Sequence, residues 1–474
     1  MIFTSWEFVA FFLLVLFIRH YLRNFSAEKW FLLIASYLFY MSWSAPFALL
    51  ILATSLIDYF VGLGLGKTDD PARRKTILTL SIVANLGVLA YFKYTNFLLD
   101  NVEGLAIWLG ATMQRSHYDI VLPVGISFFT FQSMTYTIET YRGNIKPTHS
   151  PRDFLLFVVF FPQLLAGPIN RAVDLLPQFA QRVRANAEQF ECGLAQFLLG
   201  AVKKLVISDQ IAPNVDLIFA NPGGYDGFTL LQGALGYAIQ IYCDFSGYSD
   251  MAIGSARMMG FGFMENFQMP YSATSITEFW RRWHISLSFW FRDYLYIPLG
   301  GSRKGDTRTY VNLMTTMLLC GLWHGASWNF VFWGCLHGIA LAAHRAWKGW
   351  GITEILERNS TSRACWNVVS RILTLGLVLI AWIFFRATSW SEAWLYLDRL
   401  SSWSDDGVRL VSPYIFPALA AVVVTHLLVQ KDRNWAQEVP SLSLTKRVFW
   451  FACLIGLLVA FGATNSAPFI YFQF

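Results

Sequence analysis

Two histidines in this sequence lie among residues that leave them little water. His324 lies in Leu318-Leu-Cys-Gly-Leu-Trp-His-Gly-Ala-Ser-Trp-Asn-Phe330, near the middle of an apolar stretch from Thr309 to Trp347. An ionisable side chain at bilayer depth is costly and by default marks a functional cavity. A neutral imidazole there could take a proton from a hydroxyl. Gly321 and Gly325 bracket it and would let a ligand or a second backbone approach closely, while Trp323 and Trp328 could wall a slot. An imidazole that only ties two helices together is the plainer alternative. The glycines and tryptophans favour a site.

Forty residues earlier comes Glu278-Phe-Trp-Arg-Arg-Trp-His284-Ile-Ser-Leu-Ser-Phe-Trp-Phe-Arg-Asp293. Trp280, Trp283, Leu287, Trp290 and Phe291 recur at helical spacing, which predicts an interfacial helix with one aromatic face. Arg281, Arg282 and Arg292 would be free to meet phosphate or carboxylate. Arg303, Lys304 and Arg308 extend the basic surface in a glycine-containing loop, and an ordinary cytoplasmic basic loop reads the same way.

Asp244 and Asp250 are six residues apart, so they do not share a helix face and form no acid/base dyad. Asp250 is expected to pair with Arg257, leaving Asp244 to orient a histidine or touch substrate. His337 would point away from His324 on a continuous helix and reads as a packing residue. His20, His117, His149 and His344 read as solvated.

Other motifs fail on spacing. Gly62-Leu-Gly-Leu-Gly66-Lys67-Thr68 has Val61 where a phosphate loop needs glycine, and Gly300-Gly301-Ser302-Arg303-Lys304-Gly305 misses a serine-nucleophile elbow by one position. Six cysteines include no C-x-x-C pair and read as buried, inert thiols, with neither zinc nor a disulfide framework.

The elements that must position these residues follow from composition. Charged residues make up 14% of 474, against roughly 25% in soluble domains. Hydrophobic residues reach 55% and mean hydropathy is +0.44. That excludes a disordered or ordinary cytosolic chain and predicts an all-α, polytopic membrane protein forming one body over 1–474. A net charge of +6 is too small to suggest nucleic acid.

Apolar runs of spanning length alternate with basic loops, which places the N-terminus outside and the Arg19–Lys29 end inside. Trp30–Gly66 is too long for one crossing and should turn at Ser44-Ala45-Pro46. Phe154–Gly167 is short and interrupted by Pro162, as a re-entrant hairpin would be. About 11 to 13 membrane segments result, with Phe474 facing the periplasm. With no basic n-region before its apolar stretch, the first segment should stay in the mature protein. No internal repeat is visible, which weighs against a transporter or flippase. A non-catalytic scaffold is disfavoured by the two deep histidines.

The motifs F-S-G-Y-S-D-M-A-I-G at 245–254, F-W-R-R-W-H-I-S-L-S at 279–288, Y-I-P-L-G-G at 296–301 and G-L-W-H-G-A-S-W-N-F at 321–330 carry a resemblance. The sequence resembles bacterial membrane-bound O-acyltransferases of the alginate O-acetyltransferase type, most densely over 240–345. The likeness is looser in V-G-I-S-F-F-T-F-Q at 124–132, F-P-Q-L-L-A-G-P-I at 161–169 and the tail P-F-I-Y-F-Q-F at 468–474.

The resemblance implies that His324 is the catalytic histidine and that His284 fills the second active-site position. It also implies a ring of tilted helices around a tunnel in the inner membrane. Acetyl-CoA would enter from the cytoplasm as donor substrate, with no cofactor and no metal. A periplasmic partner would complete the O-acetylation of an exopolysaccharide such as alginate or cellulose. Relatives that pass D-alanine to a cell-wall polymer share the two histidines, and D-alanyl or peptidoglycan acyl transfer by the same fold is the alternative.

Overall fold

The computed structural model describes residues 1–112, 118–356, 358–428, 434–463 and 467–472. The expectations for His117 and Phe474 lie outside the described residues. The chain forms two compact units, one of Met1–Phe197 with Met251–Met264 and one of Leu198–Asp250 with Glu265–Phe474. It is an all-α membrane protein; among the described residues the only β pairing is an isolated bridge between Tyr225 and Val408. Four described helices are long and apolar enough to cross a membrane alone: Ala45–Leu65, Pro71–Trp108, Ser360–Arg386 and Leu444–Phe461.

In the first unit, Phe25–Met41 and Ala45–Leu65 are separated at Ser42–Ser44, two residues before the turn expected at Ser44-Ala45-Pro46, because the proline is taken into the first turn of the second helix. Pro71–Trp108 is started by Asp70, whose carboxylate accepts from Ala72 and Arg73 backbone N–H groups. At 38 residues it is longer than the apolar run that announces it. Phe154–Gly167 breaks into Pro151–Val159 and Phe161–Leu164. The freed carbonyl of Phe157 accepts from the Gln132 and Gln163 amides at 2.6 and 2.7 Å, and the Phe161 N–H donates to Ser36 at 3.1 Å. Irregular backbone buried in protein needs such partners.

Charges inside this unit are matched in the same way. Glu28, 2% exposed, accepts from Arg19 at 2.6 Å and from Arg182 and Arg184 at 3.0 Å each.

In the second unit, the apolar stretch around His324 is not one helix. Asp306–His324 ends at the histidine, Gly325 is extended, and Trp328–Gly349 runs back against it. A Cβ at Gly321 would collide with the Phe330 carbonyl and one at Gly334 with that of Met317, so these glycines let the two backbones touch. His337 therefore does not continue the His324 helix.

The expected interfacial helix over Glu278–Asp293 is likewise broken, into Ile276–Arg282 and Ile285–Phe291. Its aromatic face is sunk in protein: Trp283, Leu287, Trp290 and Phe291 are buried. Spacing alone cannot separate a face that meets lipid from one that meets other helices.

Candidate active site

His324 is the last residue of its helix and only 3% exposed. Its ring lies 5.0 Å from Trp323, 4.9 Å from Trp333, 5.3 Å from Phe385 and 5.5 Å from Tyr471, mostly edge-on. Its Nε2 is 3.9 Å from the Cys320 sulfur one turn back. Packing against rings fixes its orientation.

His284 is fully buried and held differently. It sits between the two short helices with φ +44°, one of three non-glycine residues with positive φ among the described residues. Such a conformation is sterically costly and persists where the surroundings over-determine it. The surroundings are a polar net centred on Asn266. The Asn266 amide nitrogen donates to Ser249 at 3.1 Å. Its Oδ1 accepts from the Ser286 hydroxyl at 2.9 Å and the Ser286 N–H at 3.2 Å, and lies 3.2 Å from His284 Nδ1. An oxygen surrounded by donors makes Nδ1 a donor too, so in the neutral ring Nε2 is the acceptor nitrogen.

The two histidines share ring neighbours. Trp323 is 6.1 Å and Tyr471 6.4 Å from His284. Tyr471 was missed as a site residue, although the tail that holds it carried a motif. Lys204, 2% exposed, pins that tail. It uses all three of its donors, on Asp209 at 2.7 Å, Asp244 at 2.6 Å and the Ala467 carbonyl at 2.9 Å. The second oxygen of Asp244 accepts from the Ile470 N–H at 2.9 Å. Asp244 thus has partners the sequence did not suggest: through Lys204 and the Ile470 N–H it anchors the segment that presents Tyr471.

Other expected residues scatter. Trp328 is 60% exposed and does not wall the His324 slot; Trp333, fully buried, takes that place. Trp333 leads on to His337 at 4.6 Å, which accepts from Trp280 at 3.3 Å. Arg282 is spent on Glu278 and the Gln268 carbonyl, both at 3.0 Å, and Arg281 is exposed. Asp250 bonds Lys203 at 2.6 Å. His344 is half-buried, with Nδ1 2.8 Å from the Thr277 hydroxyl. Cys365 and Cys453 are exposed, contrary to the expectation of buried thiols.

Arg303 and Lys304 are exposed in a loop with positive φ at Gly300, Gly301 and Gly305. The loop precedes Asp306, so it and His324 sit at opposite ends of one helix, roughly 27 Å apart. A cavity of about 680 Å³ lies at the loop's end, lined by Tyr296, Asp306, His344, Arg345, Lys348 and Trp350 among others.

The chain is similar to known proteins over most of its length. The model of the membrane-bound O-acyltransferase family matches residues 47–385. The chain is similar to a probable alginate O-acetylase of Pseudomonas aeruginosa, at 44% identity over 85% of this chain and 75% of the relative. A probable alginate O-acetylase of Pseudomonas putida is 39% identical over the whole of both chains. A peptidoglycan O-acetyltransferase of Helicobacter pylori is 32% identical over 96% of this chain and 93% of its own.

Proposed function

The chain belongs to the membrane-bound O-acyltransferase family, and we propose that it moves acetyl groups from acetyl-CoA at the cytoplasmic face of the inner membrane to an acceptor outside. The acceptor is a periplasmic partner that completes O-acetylation of an exopolysaccharide, alginate or cellulose. The observation that carries this reading is the pair of buried histidines, His324 and His284, sharing Trp323 and Tyr471.

In this reading His324 takes the proton of the acceptor hydroxyl as its oxygen attacks the thioester carbonyl. The tetrahedral intermediate collapses, the C–S bond breaks, and the thiolate leaves with the proton that the imidazolium returns. His284 orients the acceptor: with Nδ1 donating to Asn266, its Nε2 suits receiving a hydroxyl hydrogen better than donating to an oxyanion.

Arg303, Lys304 and the cavity beside Arg345, Lys348 and Trp350 suit a donor with phosphates and an aromatic base. Their separation from His324 by one helix suits a donor whose thioester sits at the end of a long arm. The Helicobacter relative keeps peptidoglycan as the second acceptor to be considered.

The test is incubation of purified protein in lipid with labelled acetyl-CoA and candidate periplasmic partners. Transfer of label that disappears in His324→Ala supports the enzyme. Undiminished transfer in that variant, or substrate translocation without acyl transfer, overturns it.

A further inference from the structure

A second cavity, of about 430 Å³, lies among the Gly227–Met258, Ser360–Arg386 and Ile415–Leu428 helices. Its walls are almost wholly apolar, with Leu235, Leu375, Leu379, Trp382 and Val422 representative. From Arg371 to Trp382 it runs about 16 Å along a helix long and apolar enough to span the bilayer. An apolar cleft between such helices stays dry and takes up hydrocarbon.

The polar side chains in its lining include Arg371, Tyr271 and His426. Arg371 donates from Nε to the Ser272 carbonyl at 3.4 Å, which leaves its terminal nitrogens for another acceptor. Beside Ser272, the ring of Tyr271 stacks on His426 at 5.7 Å. His426 is 5% exposed, and its Nδ1 lies 2.8 Å from the Val422 carbonyl. A carbonyl only accepts, so Nδ1 carries the hydrogen and Nε2 of the neutral ring is an acceptor. Among the described residues that Nε2 has no hydrogen-bond partner. A buried acceptor left unpaired is expensive, so a ligand bearing a donor is favoured there.

We propose that this cleft binds phosphatidylglycerol, one acyl chain lying along Leu375 and Leu379, the phosphate on Arg371 and a glycerol hydroxyl donating to His426 Nε2. Charge complementarity selects this lipid over phosphatidylethanolamine. Among the described residues the lining carries the Arg371 guanidinium and no carboxylate, so a headgroup ammonium would meet a cation with no acidic group there to offset it. The far end of the chain rests on Trp382, which is 4.9 Å from Trp283, the residue before His284. Lipid occupancy therefore also braces the aromatic layer beneath the site.

Native mass spectrometry and thermal melting of the full chain, titrated with phosphatidylglycerol or phosphatidylethanolamine, test this. Phosphatidylglycerol should stay bound and raise Tm saturably, and phosphatidylethanolamine should not. Arg371→Gln should weaken binding about tenfold or more, since it removes charge-assisted bonds. Gly376 lines the cavity, and a Cβ added there meets nothing within 4 Å. Gly376→Phe should therefore fold normally, fill the cleft and abolish the shift. Equal response to both lipids, no retained lipid, or binding that survives Gly376→Phe would overturn the proposal.

Discussion

His324 closes a regular helix and is held by rings, whereas His284 stands in left-handed backbone between two short helices and is held by a polar net. Under the proposed function the first arrangement separates chemistry from folding: the helix ends where Gly325 becomes extended, whatever side chain precedes it. The second ties them together. Asn266 serves the His284 ring, the Ser286 backbone and the chain entering the second short helix, so a change there disturbs position and stability at once.

Replacement of each residue should expose that contrast. The largest effect is expected for His324→Ala, with acetyl transfer falling about 10²- to 10⁴-fold while membrane abundance and Tm hold. A parallel fall in abundance would show that the imidazole supports the fold after all.

Lys204→Met should come next, because it strands the Asp209 and Asp244 carboxylates in the interior. About 3–5 kcal/mol of stability should go, read as a lower Tm, with release of the 467–472 tail. Asn266→Ala should cost about 1–3 kcal/mol for the donors left unpaired and lower activity as well, while Asn266→Asp, which keeps the acceptor, should lose less of both. An Asn266→Ala protein with normal melting and normal turnover would erase the distinction between the two histidines.

The smallest effect on stability should follow His284→Asn, because asparagine tolerates positive φ and the surrounding net remains. Activity should drop through weakened acceptor binding, seen as a larger change in KM than in kcat.

Much of this was legible in the sequence. The low charge fraction announced a membrane protein, the turn expected at Ser44-Ala45-Pro46 came two residues earlier at Ser42–Ser44, and both histidines proved to be buried, with shared neighbours. What escaped had common causes. Hydropathy cannot see a hairpin whose turn, Gly325–Ser327, is short and whose two arms are both apolar, so His337 was assigned to the wrong helix. Periodicity gave the correct aromatic face for Trp283 and Trp290 but not what covers it, and it ran through the break at His284 because nothing but glycine signals left-handed backbone reliably. Asp244 and Tyr471 were obscure because their relation is long-range: the lysine that couples them lies forty residues before one and far upstream of the other.

One element has mechanical implications. Pro71–Trp108 is roughly 57 Å long, and the hydrocarbon of a bilayer is about 30 Å thick. Even leaning at about 40°, the steep end of what membrane helices adopt, it would rise roughly 44 Å, so more than one turn must clear the lipid. Asp100 and Glu103 mark the emerging portion. A thicker or thinner membrane would then change how much of this rod is wetted rather than whether it crosses, which makes it a built-in gauge of immersion depth for reporter groups placed along it.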